Sequence, residues 1–373
     1  MKLILSKKIV KIAAINLALF IITFFLIIIP SSVAKQPQNN HSEFKSQIII
    51  AQTTAQQLVE QAESLFQAGR LSDASLILQQ AIRIYKKSGD NLGEAKALSN
   101  LSLVLEQLGL WKQATEAIDI SLNLLGWDSA NYVLKVNNPK SELLKILAQS
   151  LDMQAGQQLR QGKSSAAYET AKRAEKFWRQ LGDSTGVLHS RTNQAQALRF
   201  SGFNRRAFDI LESVSTELQL QRDSVLKVSA LRSLGNVQQQ LGNSEESQKN
   251  LQHSLKIAQR LQLPREISLT EFSLGNTTFA LGNINDAIIH YQNAASSAPN
   301  PLLKVQAQIN QLNLLVNNKR ITEAKALINS IQSQLPNLPT NNAGIYARIN
   351  FARVIIKIAD KKDAASILAT SVQ

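Results

Sequence analysis

Residues 234–243 read LGNVQQQLGN, and residues 274–283 read LGNTTFALGN. The second stretch begins 40 residues after the first, and the glycine before each final asparagine belongs to a longer series. Glycines of this series recur with separations of 40, 53, 40, 40 and 40 residues, at Gly69, Gly109, Gly162, Gly202, Gly242 and Gly282. The spacing of these frame glycines indicates that one structural unit is repeated along the chain.

Small residues accompany each frame glycine. Five residues after it stand Ala74, Ala114, Ala167, Ala207, Ser247 and Ala287. Seven residues before it stand Ala62, Ser102, Ala155, Ala195, Gly235 and Gly275. A glycine ends one helix in a tight turn at no steric cost, and small residues let two antiparallel helices approach closely. Because one hairpin cannot cover its own apolar face, neighbouring hairpins must stack into a continuous core.

This frame resembles that of the tetratricopeptide repeat (TPR) family over residues 55–373. The resemblance is carried by Leu98, Leu101, Ser102, Leu105, Gly109, Ala114, Ile118 and Ser121, with a closing proline at Pro299. The usual TPR period is about 34 residues, and HEAT hairpins of about 40 to 47 residues explain the glycine frame less well. The resemblance implies an all-α fold, a right-handed superhelical solenoid of antiparallel helix hairpins, TPR-like with a period of 40 residues.

The array is predicted to contain about eight hairpins. Two units are degenerate, with Lys319 and Ala359 in the glycine position. Residues near 126–140 form an insertion, expected to be a surface loop that contains Trp127 and Tyr132 and is either a tolerated insertion or a binding loop. The last residues are apolar where arrays usually carry a polar cap, so this end is expected to dock onto a partner or a second copy.

The first 34 residues have the pattern of an export signal. Lys2, Lys7, Lys8 and Lys11 precede an apolar run over residues 12–29, and Ser32-Val33-Ala34 fits a cleavage site. Residues 1–34 are therefore a signal peptide or an N-terminal membrane anchor, since the run is long enough to span a bilayer. Residues 35–54 are expected to be a flexible spacer. The predicted location is exported, periplasmic or secreted, or else anchored to the inner membrane by residues 12–29.

The charge favours acidic partners and the composition gives little sign of catalysis. The net charge is +14, and the chain outside residues 1–34 has 37 basic and 27 acidic residues, a net charge of +10. Basic residues are not interleaved with aromatic ones as in nucleic-acid modules, so no nucleic acid is expected. The chain has no cysteine, and His41, His189, His253 and His290 follow no metal-ligand spacing. We therefore predict no catalytic residue, no metal and no cofactor.

Candidate partner-binding residues lie on the first helix of each hairpin, which should line the concave face. Asn100 and Asn193 each stand nine residues before their glycine, and Asn236 and Asn276 stand six before theirs. In TPR proteins, asparagines at inner positions hold the backbone of an extended peptide, and the resemblance assigns that role to these four residues. They can equally satisfy neighbouring helices. Arg199 and Arg232, on the same inner faces, can meet a carboxylate.

A narrower resemblance concerns the order of segments. An export signal, a glutamine-rich spacer and 40-residue units resemble the N-terminal half of bacterial CHAT-domain TPR proteins, whose later domain has a caspase-like fold with a His and a Cys. This chain lacks that Cys, which implies a truncated remnant or a recognition arm. The preferred prediction is an exported, non-enzymatic scaffold that binds an extended acidic protein segment in its concave groove. The alternatives are a membrane-anchored envelope assembly protein and the CHAT-type remnant.

Overall fold

The computed structural model of the protein describes residues 40–339 and 342–357. Contacts between residues divide the chain into two compact units, Met1–Gln47 and Ile48–Gln373. The predicted signal or anchor at residues 1–34 lies outside the described residues. The predicted spacer is helical from Asn40 onward, because no glycine or proline interrupts residues 40–54. Within the described ranges, no helix combines the length and the apolarity needed to cross a membrane.

The described residues form fifteen α-helices, one short 3-10 helix and one two-stranded antiparallel sheet. In chain order the helices are α1 (Asn40–Gln67), α2 (Leu71–Ser88), α3 (Asn91–Gln107), α4 (Trp111–Leu124), α5 (Ser141–Arg160), α6 (Ser164–Leu181), α7 (Ser184–Phe200), α8 (Asn204–Gln219), α9 (Val225–Gln240), α10 (Ser244–Arg260), α11 (Pro264–Ala280), α12 (Ile284–Ser296), α13 (Pro301–Asn317), α14 (Ile321–Gln332) and α15 (Asn342–Ile355). The strands are β1 (Trp127–Asp128) and β2 (Val133–Leu134), and the 3-10 helix is Leu335–Asn337.

Consecutive helices pair into hairpins, which we number 1 to 7 from α1–α2 to α13–α14. Each frame glycine lies in the turn of its hairpin. At Gly202 the backbone is left-handed (φ +84°), and Phe203 N–H donates to the carbonyl of Leu198 at 2.9 Å, which closes a Schellman motif. Lys319 makes the same motif with φ +60° in hairpin 7. The predicted all-α solenoid of antiparallel hairpins is confirmed.

The core runs along the stack rather than around one centre. Apolar clusters follow one another through the hairpins, and most of the small frame residues in them are fully buried. The helices approach closely in hairpins 5 and 6, where a Cβ added to Gly235 would lie 2.6 Å from Cγ of Leu251 and one added to Gly275 would lie 2.6 Å from the ring of Tyr291. Small residues therefore set the distance between the two helices of a hairpin, as the sequence pattern predicts.

The insertion between hairpins 2 and 3 forms the small sheet, in which Trp127 pairs with Leu134 and Asp128 with Val133. The expectation that Trp127 lies on a surface loop is wrong, because this residue is only 6% exposed and its ring packs edge-to-face on that of Phe177, with centroids 5.9 Å apart. An indole of this size is stabilised by burial against both helices of hairpin 3, α5 and α6. Tyr132 is 55% exposed, as expected.

Candidate functional site

The first helices of successive hairpins line one groove of about 800 Å³, which we call the first-helix groove. Its walls come from α1, α3, α5, α7 and the start of α9. Residues thirteen and nine before the frame glycine recur on three of these helices, because positions four apart share one helical face. These residues are Lys96 and Asn100, Gln149 and Met153, and His189 and Asn193.

A buried carboxylate organises the floor of the groove. Asp152 is 5% exposed and accepts hydrogen bonds from Nε1 of Trp178 at 2.8 Å and from Oγ of Ser190 at 2.9 Å. It also accepts a hydrogen bond from Nδ2 of Asn193 at 3.0 Å. Three elements, α5, α6 and α7, are thus joined at one side chain. A buried charge that is hydrogen-bonded in this way avoids the large cost of an unpaired one.

His189 stands over this carboxylate at the groove surface. Its Nδ1 lies 3.4 Å from Oδ2 of Asp152, and half of its side chain (51%) is exposed. Crowding by the groove walls would lower the pKa of His189, but the hydrogen bond to Asp152 and the charge of that carboxylate outweigh it and raise the pKa above the ordinary value of 6.5. The groove therefore carries a cation there over a wider pH range than a free histidine would.

Asn100 and Asn193, two of the predicted site residues, both line the first-helix groove. Nδ2 of Asn100 donates to Oε1 of Glu63 at 3.2 Å, as Nδ2 of Asn193 does to Asp152. A carboxylate accepts hydrogen bonds and donates none when ionised, so it fixes which atom of the amide faces it. Among the described residues, no hydrogen bond engages the Oδ1 atom of either asparagine.

Asn236 and Asn276 lie outside the lining of this groove. They stand six residues before their glycines, a position that in hairpins 1 to 3 is occupied by groove residues Glu63, Leu103 and Gly156. Asn276 accepts a hydrogen bond from the hydroxyl of Tyr291 at 2.7 Å, which holds α11 to α12. The side chain of Asn236 is half-buried and makes no hydrogen bond within the described residues.

Arg199 and Arg232 are also outside the groove, but the structure brings them close enough for their charges to interact. Burial lowers the pKa of Arg199, and the positive charge of Arg232 lowers it further. Arg232 pairs with Glu266 at 2.9 Å, and Arg265 shares that carboxylate at 3.1 Å. Arg199 forms no ion pair in the described residues, and Nε of each of Arg199 and Arg232 is buried without a hydrogen-bond partner there.

The charge of the first-helix groove is mixed. Lys96 and Lys145 are exposed at its wall and form no ion pair within the described part of the chain. Glu63 and Asp183 bring carboxylates to the same lining. Four groove residues were not predicted from the sequence: Lys96, Lys145, Gln149 and Asp152. Lys96 and Gln149 could have been predicted from the frame. They stand four residues before Asn100 and Met153, which are both nine residues before a frame glycine, and residues four apart share one face of a helix.

Among the described residues, no group of three or more His, Asp or Glu side chains is arranged to hold a metal ion. The fold and the groove define a helical-hairpin solenoid with an open inner face. No family model matches the sequence, and no curated protein matches it.

Solved structures show the same fold at low sequence identity. A Rap protein complexed with Competence and Sporulation Factor aligns over 86% of this chain and 86% of its own, with a TM-score of 0.60 and 12% identity. The apo form of RapI aligns over 85% of this chain and 87% of its own, with a TM-score of 0.53 and 10% identity. A signal transduction ATPase with a tetratricopeptide repeat sensor, from Pyrococcus horikoshii, aligns over 90% of this chain and 52% of its own, with a TM-score of 0.52 and 11% identity. These similarities establish a TPR-like fold for this chain. The narrower resemblance to CHAT-domain proteins stays a prediction.

Proposed function

We propose that this chain is a non-enzymatic scaffold that binds an extended, acidic segment of another protein along its first helices. The observation that carries the proposal is the pair of groove asparagines held in place by carboxylates. With Nδ2 of Asn100 and Asn193 engaged by Glu63 and Asp152, each Oδ1 is a fixed acceptor for a backbone N–H of a ligand. Fixing an acceptor before binding reduces the entropy lost on binding.

Recognition through backbone groups suits an extended peptide of varied sequence. Asn100 and Asn193 stand at the same frame position in hairpins 2 and 4, and hairpin 3 between them contributes Gln149. Polar amides thus recur across three neighbouring first helices, as a peptide crossing these helices requires. The Rap protein of similar fold was solved in complex with Competence and Sporulation Factor, which supports the suitability of this fold for holding a ligand.

Preference for acidic segments is proposed from the cations that lack partners. Lys96 and Lys145 lie at the groove wall, and Arg199 lies beyond it without an ion pair among the described residues. The guanidinium of Arg199 stacks on the ring of Phe200, with Cζ 4.2 Å from the centroid. Stacking occupies the face of the guanidinium and leaves its terminal N–H groups for a carboxylate, which would also relieve the repulsion from Arg232.

The proposal places the scaffold outside the cytoplasm. Support for this part comes from the sequence of residues 1–34 alone, with its lysines, apolar run and small residues. N-terminal sequencing of the protein isolated from its native envelope fraction tests it. A mature chain beginning at Lys35 supports a cleaved signal, an intact Met1 in the membrane fraction supports the anchored alternative, and recovery from the cytoplasm contradicts export.

Peptide selection tests the binding function. The full chain is used to select ligands from a displayed library of unstructured peptides, and the affinity of the selected peptides is measured by fluorescence anisotropy at low and high salt. We expect acidic, extended peptides whose binding weakens as salt rises. The double variant Asn100→Ala/Asn193→Ala should bind at least ten-fold more weakly, because two fixed acceptors are lost.

Asn236→Ala is the matched control, since it removes the same side chain from the same array outside the groove. It should leave the affinity unchanged, and circular dichroism should show equal helicity in all variants. Equal binding by wild type and the double variant would contradict the groove, as would an equal loss in Asn236→Ala. In the same assay Arg199→Gln should weaken binding of acidic peptides, while Arg205→Gln, an exposed arginine in the adjacent turn, should not.

A further inference from the structure

The turn of hairpin 4 exposes two phenylalanine rings. Residues 199–206 read RFSGFNRR, and Phe200 and Phe203 are 60% and 54% exposed. Neither ring belongs to an apolar cluster of the described core. Large apolar side chains that are exposed next to each other are typical of surfaces that bind a partner or a membrane.

The fold does not require phenylalanine at these positions. The position of Phe200, two residues before the frame glycine, is filled in other hairpins by Gln67, Gln107, Arg160, Gln240 and Ala280. The position of Phe203, one residue after it, is filled by Arg70, Leu110, Lys163, Asn243 and Asn283. The turns of these hairpins close through backbone hydrogen bonds and a left-handed glycine, whatever the neighbouring side chains are. The two rings of hairpin 4 are thus not needed to form its turn.

Cations surround the two rings. Residues 199–206 contain three arginines and no acidic residue. Arg206 is exposed, with Cζ 5.9 Å from the ring centroid of Phe203, and forms no ion pair within the described residues. Arg205 reaches Asp209 at 3.4 Å, but both side chains are more than half exposed, so this pair neutralises little of its charge.

The tip of the turn is unobstructed. A Cβ added to Gly202 would meet no atom within 4 Å. On the next turn, Glu245 and Glu246 are exposed at the frame positions that Arg205 and Arg206 occupy in hairpin 4. The turn of hairpin 4 thus presents two exposed aromatic rings and two exposed arginines together.

We infer that the turn at residues 199–206 docks onto an anionic lipid bilayer. Phe200 and Phe203 enter the boundary between headgroups and acyl chains, and Arg205 and Arg206 pair with lipid phosphates. A bilayer suits both parts of this surface, because the boundary between headgroups and acyl chains accepts rings that carry no polar group, and the lipid phosphates pair with the arginines. The four side chains named here lie outside the lining of the first-helix groove and have no part in the proposed peptide binding, so the inference does not depend on that binding.

A fluorophore at the turn gives a local test in the full chain. The sequence contains no cysteine, so Ser201→Cys can be labelled with an environment-sensitive dye, and Asn283→Cys on the turn of hairpin 6 serves as the control position. Vesicles contain phosphatidylglycerol and phosphatidylcholine in equal amounts, or phosphatidylcholine alone. We expect a blue shift at position 201 with the anionic vesicles and none at position 283. A label at the turn reports this contact separately from any membrane binding by residues 1–34.

Variants separate the contribution of the arginines to membrane binding from that of the phenylalanines. Arg205→Gln/Arg206→Gln and Phe200→Ala/Phe203→Ala should each raise the lipid concentration for half-maximal shift at least five-fold, and Glu245→Gln/Glu246→Gln should lower it. All six side chains are exposed or lie at a turn, and unchanged helicity shows that each variant is folded. An unchanged dye at position 201, or an equal shift with both vesicle types, would overturn the inference. A shift caused by soluble polyglutamate and not by vesicles would overturn it in favour of an acidic protein partner.

Discussion

Hairpins 3 and 5 place opposite charges at one frame position. Asp152 and Arg232 both stand ten residues before their glycine, and both are largely buried. Asp152 is satisfied inside the array by Trp178, Ser190 and Asn193. Arg232 has Glu266 on one side and a buried Nε without a partner in the described residues on the other. The frame decides where a side chain points, and its neighbours decide whether it serves the fold or remains available to a ligand.

The largest expected effect on stability is that of replacing Asp152, whose hydrogen bonds are all made inside the array. Asp152→Ala leaves three donors without their acceptor beneath the groove, and it should lower the free energy of unfolding by about 3 kcal/mol. Urea denaturation measures the change. Glu63→Ala removes an exposed carboxylate from the same groove and should change stability by less than about 0.5 kcal/mol. Equal effects of the two substitutions would show that the Asp152 network contributes nothing particular.

The same two hairpins differ at the position seven before the glycine, which is Ala155 in hairpin 3 and Gly235 in hairpin 5. In Gly235→Ala the new Cβ would meet Leu251, which is fully buried, and the carbonyl oxygen of Ser247 at 3.1 Å. Overpacking should cost about 1 to 3 kcal/mol and exceed the gain of up to about 1 kcal/mol in helix propensity. Thermal or urea unfolding of Gly235→Ala measures which effect is larger. A variant more stable than wild type would mean that helix propensity outweighs overpacking and that the close contact relaxes.

Replacing Arg232 or Arg199, each of which has a buried Nε without a partner in the described residues, should change the free energy of unfolding less. Arg232→Met keeps the apolar stem and breaks the pair with Glu266, which still has Arg265, so a loss of about 1 kcal/mol is expected. Arg199→Met should change stability by no more than about 0.5 kcal/mol, or raise it, because it removes a repulsion and no ion pair. If Arg199→Met were clearly the more destabilising of the two, Arg199 would be a structural residue and its proposed role in binding would fail.

The sequence predicts the fold well because the frame is made of steric requirements. A turn glycine and small residues at fixed offsets allow few alternatives, and Lys319 kept its left-handed turn even without the glycine. For the candidate site, only the placement of residues can be compared with the sequence, and their role in binding stays a prediction. Asn100 and Asn193 follow from the frame and reach one groove, whereas the contact of Asp152 with Trp178 depends on packing between residues 26 apart. Trp127 was misplaced because an insertion carries no repeat from which its burial can be inferred.

The smallest expected effect concerns His189, which couples the satisfied carboxylate to pH. Since the pKa of His189 is raised in the folded chain by Asp152, its charged form stabilises the fold below the ordinary pKa of about 6.5. That contribution declines as the pH rises through the raised pKa. The melting temperature of wild type should therefore exceed that of His189→Gln most at mildly acidic pH, and the difference should shrink as the pH rises through the raised pKa. Only a small difference is expected, because the side chain is half exposed and its charge is screened by water.

Asp152→Asn should lower the pKa of His189, as measured by NMR titration, because it removes the charge that holds the proton. A pKa that stayed raised in Asp152→Asn would contradict the pairing and would assign the shift to another group of the groove.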